Sequence, residues 1–145
     1  MDCFTRQIRG WSLGQRCRAS EWVSTVRMAL ESAGLTSKEL CRLLKLRSDN
    51  GAQPCSKKFV EYLGSVGVKG QYTGYNAPDD NAFVERVIRT LKEEEIWPNL
   101  YDTMSEAREA VEHYIRYYNS ERIHSALDYR TPDEVAASQI TLAAA

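Results

Sequence analysis

Residues 43–53 read "LLKLRSDNGAQ" and carry the strongest indication of the fold. Apolar residues lead into an acid, an amide and a glycine, which predicts a short buried strand that ends in a turn. Asp49 stands at the end of that strand, and Gly51, which has no Cβ, allows the chain to turn tightly just past it. A carboxylate at this place is either a turn residue that accepts a hydrogen bond from its own backbone or part of a site with a second acid.

The second acid is Glu85, which lies in a predicted helix further along the chain. Residues 68–73 are typical of a second strand, and the turn-rich "GYNAPDDN" at 74–81 follows it. The next helix is expected to run from Asp80 or Asn81 to about Trp97, because Pro98 prevents its continuation. Thirty-five residues, 50 to 84, separate the two acids.

The flanking segments predict further strands and helices. A strand is expected through Ile8 and Leu13 after a turn at residues 4–6, and a helix from Ser20 to Ala33 that stops at Gly34. Further N-caps are predicted at Thr36, for a short helical turn, and at Ser56, Thr103 and Thr131. Strands mixed with helices indicate an α/β domain.

Length and composition agree with one domain. The 145 residues are 43% apolar and 27% charged, as in ordinary globular proteins. No apolar run is long enough for a membrane span and the start lacks a secretion signal, so we expect a cytoplasmic protein without a membrane partner. The four cysteines form no C-x-x-C pair and are expected to be reduced and mostly buried.

The net charge of −1 conceals an asymmetry. Residues 1–70 contain twelve Lys/Arg and six Asp/Glu, whereas residues 71–145 contain seven and fourteen. A basic half is suited to a polyanion, but scattered solvated charge is the more common explanation of such a pattern.

Two acids on rigid elements on either side of a loop suit phosphodiester chemistry. Two divalent ions about 4 Å apart, held by carboxylates, activate the attacking oxygen and stabilise the leaving one. Mg²⁺ takes a few carboxylates plus waters and phosphate oxygens. The alternatives are a turn residue at Asp49 and an acid that complements the helix dipole at Glu85.

Three motifs in order and at family spacing identify a resemblance. "RSDNGAQ", "DDNAFVERVIRTLKEE" and "YIRYYNSERIHSALDYRTPDEV" together resemble the integrase core of bacterial insertion-sequence transposases, a group similar to retroviral integrase. The opening "DCFTRQIRGW" resembles the second and third strands of that family. The resemblance covers about residues 1–137 as one core with a helical tail, and we expect residues 138–145 to be disordered.

The resemblance implies an RNase H-like α/β fold, with a mixed five-stranded sheet flanked by helices. It implies a triad of acids that binds two Mg²⁺ or Mn²⁺ ions. It also implies an enzyme that cuts DNA at an element's end and joins the freed 3′-hydroxyl to target DNA. Asp49 matches the second acid and metal ligand, and Glu85 the third. Lys92 matches a basic position seven residues beyond Glu85, on the same helix face, and is expected to contact a DNA phosphate. A solvent-exposed lysine that pairs with a nearby glutamate is an equally common explanation.

Asn50 and Gln53 are expected to contact DNA or to hold the loop, and holding the loop is the commoner role. Tyr75 borders the loop that meets DNA in this family and is expected to stack on a splayed base there, although packing is the commoner role of such an aromatic residue. The closing motif with Arg122 and His124 has no catalytic task in the resemblance and is expected to be structural.

The first acid of the triad and its strand have no match here, since Asp2 corresponds to a residue that is not a metal ligand. We therefore expect an N-terminally truncated transposase core that is inactive alone, because one metal-binding carboxylate is absent. There are two alternatives. The chain is an interaction partner that pairs, through an open sheet edge, with full-length transposase or with a second copy, or it is a general RNase H-like nuclease.

Overall fold

The structure is a computed structural model that describes residues 1–35, 41–74 and 82–143, with backbone alone for 139–143. The chain separates into two compact units, and the expected single domain over residues 1–137 stays a prediction. The strand unit comprises Arg9–Glu85, and the helical unit comprises Met1–Ile8 together with Arg86–Ala145.

The strand unit contains α1 (Ala19–Ser32), β1 (Lys45–Ser48), α2 (Lys57–Val66) and β2 (Lys69–Tyr72), and α3 (Ala82–Leu91) begins in it. The strands β1 and β2 are parallel, with Lys45 opposite Lys69 and Ser48 opposite Tyr72. Helix α2 is the crossover between them, as parallel neighbours require. Both predicted strands are confirmed within one or two residues, but β1, which was expected to be buried, is exposed at Lys45 and Arg47.

Local sequence sets the ends of these helices. Gly34 has φ +67°, and the Leu35 N–H donates to the Leu30 carbonyl at 2.9 Å, which is a Schellman ending for α1. Ser56 Oγ accepts from the Phe59 N–H at 3.4 Å and Gly67 ends α2 at φ 84°, both as predicted. The helix expected from Ser20 begins one residue earlier, at Ala19, and Arg18 is its N-cap.

The core of the strand unit lies between α1, α2 and one face of the sheet. Its buried members are Val26, Cys41, Phe59, Leu63 and Val68. Trp22 packs edge-on against Phe59, with ring centroids 5.5 Å apart. Leu46 of β1 and Leu44, which immediately precedes that strand, pack against this core. Burial on one face therefore fixes the strand.

The helical unit contains the rest of α3, a π-helical turn (Lys92–Ile96), α4 (Met104–Ser120), a 3₁₀ turn (Ser125–Leu127) and α5 (Pro132–Ala143). The predicted caps are confirmed: Thr103 Oγ1 accepts from the Glu106 N–H at 3.1 Å, and Thr131 exchanges two hydrogen bonds with Glu134. The buried core residues of this unit lie on α4, the 3₁₀ turn and α5: Val111, Tyr114, Ile115, Tyr118, Leu127 and Val135. Helix α5 extends to Ala143, and disorder of residues 138–145 stays a prediction.

The helix expected to run to Trp97 is α-helical only to Leu91. The Trp97 N–H donates to the Lys92 carbonyl at 2.8 Å, which closes the wider π turn. This turn directs successive glutamates to different partners, because Glu94 accepts from Tyr114 and Arg122 while Glu95 accepts from Tyr101. These side-chain partners lie outside the helix, so the helical periodicity did not reveal them.

The expected strand through Ile8 and Leu13 is not formed, and residues 6–14 make no strand. The side-chain amide of Asn119 takes the place of a neighbouring strand at Ile8: its Oδ1 accepts from the Ile8 N–H at 2.9 Å, and its Nδ2 donates to the Ile8 carbonyl at 3.1 Å. The preceding turn is present, since Asp2 Oδ1 accepts from the N–H groups of Phe4 and Thr5. The described sheet therefore has two strands rather than five.

Asn119→Ala is expected to destabilise the helical unit by about 1–2 kcal/mol, because both backbone groups of Ile8 lose their partner. Urea unfolding followed by circular dichroism measures this change. The Asn119→Asp variant keeps the hydrogen-bond acceptor and loses the donor. Its free energy of unfolding should lie between those of the wild type and Asn119→Ala. An unchanged urea midpoint for Asn119→Ala would show that water replaces the amide without cost.

Two further predictions concern composition. The cysteines are free, but only Cys41 is buried, and Cys3, Cys17 and Cys55 are exposed, so the expectation of mostly buried thiols was wrong. These three lie outside the apolar core.

Within the described ranges, no helix combines the length and apolar character needed to cross a membrane. The helical turn expected at Thr36 falls outside the described residues.

Candidate metal and DNA site

Asp49 lies at the tip of β1, immediately after Ser48, and its side chain is exposed. Its Oδ1 accepts from the Gly51 N–H at 3.0 Å, so the turn interpretation of this residue is confirmed. The described residues offer no hydrogen-bond partner to Oδ2. The turn thus orients the carboxylate through one oxygen and leaves the other accessible to a ligand.

Gly51 contributes by leaving space. A Cβ at this position would lie 3.0 Å from Asp49 Oδ1 and 3.6 Å from Pro54 Cδ. The former distance is shorter than ordinary van der Waals contact, so a larger residue would shift the carboxylate by a few tenths of an ångström. The requirement for glycine therefore comes from the acid beside it.

Asn50 and Gln53 both hold loops. Asn50 Nδ2 donates to the Thr73 carbonyl at 2.9 Å, which connects the ends of β1 and β2. Gln53 Nε2 donates to the Cys17 carbonyl at 3.1 Å, ahead of α1. Both amides therefore have a structural role, and their contact with DNA stays a prediction.

Glu85 lies in the first turn of α3 and is exposed. No hydrogen bond or ion pair joins its side chain to another residue in the described ranges, so its carboxylate is open to a ligand. Asp49 and Glu85 belong to the same compact unit, and their convergence on one ion stays a prediction. Lys92 is exposed at the start of the π turn, whereas Tyr75 lies outside the described residues.

The donor chemistry of this pair suits a hard cation. Exposed carboxylates with unused oxygens are ligands that Mg²⁺ accepts, and Mg²⁺ fills its other positions with water and phosphate. Across residues 1–35, 41–74 and 82–143, no group of three or more His, Cys, Asp or Glu is placed to hold a metal ion.

A polar cluster in the helical unit was not predicted in detail. Arg122 donates from Nη2 to Glu94 Oε1 at 2.6 Å and from Nε to Oε2 at 3.0 Å, and the Tyr114 hydroxyl donates to the same Oε2 at 2.6 Å. The hydrogen bonds from Arg122 lower the pKa of Glu94, and that from Tyr114 adds to them. The "YNSERIH" motif was the available signal for this cluster, but it did not identify Glu94 as the partner.

His124 packs edge-on against Tyr118, with ring centroids 4.7 Å apart. Burial, then the charge of Arg122, lowers the pKa of His124 below its ordinary value. The lowered pKa favours the neutral imidazole, which agrees with the structural role expected for the closing motif.

Comparison with known proteins identifies the family. Residues 66–132 match the family described as "Integrase core domain". The chain is 33% identical over 136 residues to the transposase of insertion sequence element IS904 from Lactococcus lactis, covering 92% of this chain and 51% of the relative. It is 37% identical over 89 residues to the putative transposase InsK of IS150 from Escherichia coli, covering 61% and 31%. The chain thus spans about half, or less, of the length of these relatives.

Solved structures agree on the fold. The magnesium complex of the HTLV-2 integrase catalytic core, in its dimeric form, matches with a TM-score of 0.53 at 18% identity, covering 87% of this chain and 73% of that one. A chain of the simian T-cell lymphotropic virus intasome matches with a TM-score of 0.60 at 18% identity, covering 84% and 41%. The RNase H-like fold class is confirmed, and the chain is an integrase core of the insertion-sequence transposase family.

Proposed function

We propose that this chain is the catalytic-core portion of a transposase that cleaves DNA at an element's ends and transfers the freed strand to target DNA. The observation that supports the proposal most directly is the placement of Asp49. Its carboxylate is held at the tip of a strand by a turn, and one oxygen remains unused. Relatives named as transposases and an integrase core solved with magnesium support the same activity.

We propose Asp49 and Glu85 as ligands of Mg²⁺ or Mn²⁺, in a two-ion site by family resemblance. Such ions, when bound, activate the attacking oxygen and stabilise the leaving one. Gly51 and the Asp49 turn hold one carboxylate in a fixed orientation, and the rigid helix α3 carries the other. Asn50 and Gln53 keep the adjoining loops in place, while Lys92, Asn50, Gln53 and Tyr75 are the proposed DNA contacts.

Divalent-ion binding tests the proposal directly. We expect Mn²⁺, titrated into the 145-residue chain and followed by electron paramagnetic resonance, to bind at least about tenfold more weakly to Asp49→Asn and to Glu85→Gln, because each removes a charged oxygen ligand. Glu61→Gln is the matched control, since Glu61 is an exposed acid of α2 that pairs with Lys57 at 3.8 Å. Equal affinity in all four proteins would refute the assignment of the two ligands.

A strand-transfer assay tests whether the chain is active without a match to the first acid of the triad. Only two of the three acids in the triad that the family resemblance implies have a match in this sequence. We therefore propose that the chain alone is inactive on a labelled end substrate with Mg²⁺ or Mn²⁺. Cleavage by the chain that disappears in Asp49→Asn would contradict the inactivity and would show that these two carboxylates suffice.

A second candidate function is a non-catalytic partner of a full-length transposase or of a second copy. The observation that favours it is the sheet, whose two described strands pair only with each other and so leave their outer edges open to pairing. Co-purification with an intact relative, together with wild-type Mn²⁺ binding too weak to measure, would favour this function over catalysis. A monomer at all concentrations in sedimentation would count against it.

A further inference from the structure

The two strands of the sheet have unlike faces. Leu46 packs against the apolar core, and a Cβ on its register partner Gly70 would point at Leu63 Cδ1 of α2, 3.6 Å away. This face is therefore covered by α2. Side chains alternate along a strand, so Lys45 and Arg47 of β1 and Lys69 and Gln71 of β2 lie on the other face.

That opposite face is polar, positively charged and open. Lys45, Arg47, Lys69 and Gln71 are all exposed, and the face carries neither an apolar nor an acidic side chain at these four strand positions. It therefore does not suit packing against an apolar helix or sheet, which would leave buried cations without partners.

Lys45 and Lys69 lie directly opposite each other in the register of the parallel pair. Like charges at such positions destabilise a sheet unless a counter-charge relieves them. Neither ammonium has an ion-pair partner among the described residues, in contrast to Lys57 of α2, which pairs with Glu61. The pair is thus unfavourable in the isolated chain and suited to an external anion.

We propose that this basic sheet face binds the sugar-phosphate backbone of DNA through Lys45 and Lys69. The inference rests on the proposed function and adds to it the surface that carries the substrate. Strand β1 leads from Lys45 towards Asp49, which follows it by four residues. Four residues of extended chain span about 13 Å, a distance equal to the rise of about four base pairs of B-DNA. The face would hold DNA through phosphates, without sequence readout, at that distance from the acid.

Salt-dependent DNA binding by the 145-residue chain is the test. A labelled 30-base-pair duplex of arbitrary sequence is titrated in fluorescence anisotropy between 50 and 200 mM NaCl. The double variant Lys45→Gln, Lys69→Gln is expected to bind about tenfold more weakly at the lowest salt, with the slope of log affinity against log salt smaller by about 1.8, because two phosphate contacts are lost.

Two further variants separate position from charge. Lys57→Gln, Lys58→Gln removes the same charge from α2 and should keep the wild-type salt slope, whereas Lys45→Arg, Lys69→Arg should keep both slope and affinity. A melting temperature of the Lys45→Gln, Lys69→Gln protein equal to or above that of wild type, as relief of the like-charge pair predicts, shows that the fold is intact.

The outcomes distinguish this inference from the proposed function. A wild-type salt slope in Lys45→Gln, Lys69→Gln, or an equal loss in the α2 control, overturns the sheet-face assignment while Mn²⁺ binding at Asp49 and Glu85 stands. A changed oligomeric state with unchanged DNA affinity overturns it in favour of a protein partner. Absence of DNA binding by the wild-type chain also overturns it, and the Mn²⁺ titration then decides the proposed function separately.

Discussion

Gly10→Ala is expected to lower the free energy of unfolding by about 3 kcal/mol. A Cβ at Gly10 would lie 2.3 Å from the Thr25 carbonyl oxygen and 3.1 Å from the Ala29 nitrogen, both backbone atoms of α1. Neither atom can rotate away as a flexible side chain would. The segment before α1 or the helix itself must shift, and the contacts of Trp22 and Val26 with the core would loosen with it.

Chemical denaturation followed by far-ultraviolet circular dichroism measures the loss, with Gly64→Ala as the matched control. Gly64 lies within α2, where a Cβ would meet no atom within 4 Å. Alanine there is expected to stabilise the protein by about 0.5–1 kcal/mol, because glycine is unfavourable inside a helix. Equal effects of the two substitutions would show that Gly10 does not approach α1 closely in solution.

Arg122→Met is expected to destabilise the helical unit by about 2 kcal/mol. The guanidinium makes two hydrogen bonds to the Glu94 carboxylate and lies 5.9 Å from the centre of the Tyr118 ring. Charge-assisted paired hydrogen bonds are stronger than neutral ones, although partial exposure of both side chains reduces their effect. Methionine retains most of the apolar stem, so the loss reports mainly on the charged group.

Hydrogen exchange of peptides from residues 104–120 reports on α4 and therefore on the helical unit alone. Arg116→Met is the control, because Arg116 pairs with Glu112 at 2.9 Å on the same helix but both side chains are largely exposed. An exposed pair of this spacing is worth about 0.3–0.5 kcal/mol. Comparable loss of protection in the two variants would refute the importance of the Glu94 cluster.

The same cluster predicts a pH dependence. The folded-state pKa of Glu94 lies below its ordinary value, so its contribution to stability is present above about pH 4.5 and is lost as the pH falls through the folded pKa. The pKa of His124 is also lowered, so the unfolded chain takes up a proton first and stability falls as the pH drops below about 6.5. Exchange protection of α4 should therefore decrease from pH 7.5 to pH 4, after correction for intrinsic rates, and less so in Arg122→Met.

Short-range patterns along the chain were sufficient for most elements. Caps at Ser56, Thr103 and Thr131, the stops at Gly34 and Gly67, and both strands around α2 follow from residues within a few positions of each other. The family was also evident from three motifs in order. These features are readable because a helix end or a tight turn depends on the local backbone and its immediate neighbours.

Other features depended on residues far apart in the chain. The role of Asn119 as a partner for Ile8, 111 residues away, replaced an expected strand, and Glu94 found Arg122 and Tyr114 rather than a helical neighbour. The basic sheet face likewise required the register that brings Lys45 opposite Lys69. A side chain's distant partner is chosen by which backbone groups the folded chain brings within hydrogen-bond reach, and no periodicity along the sequence encodes that choice.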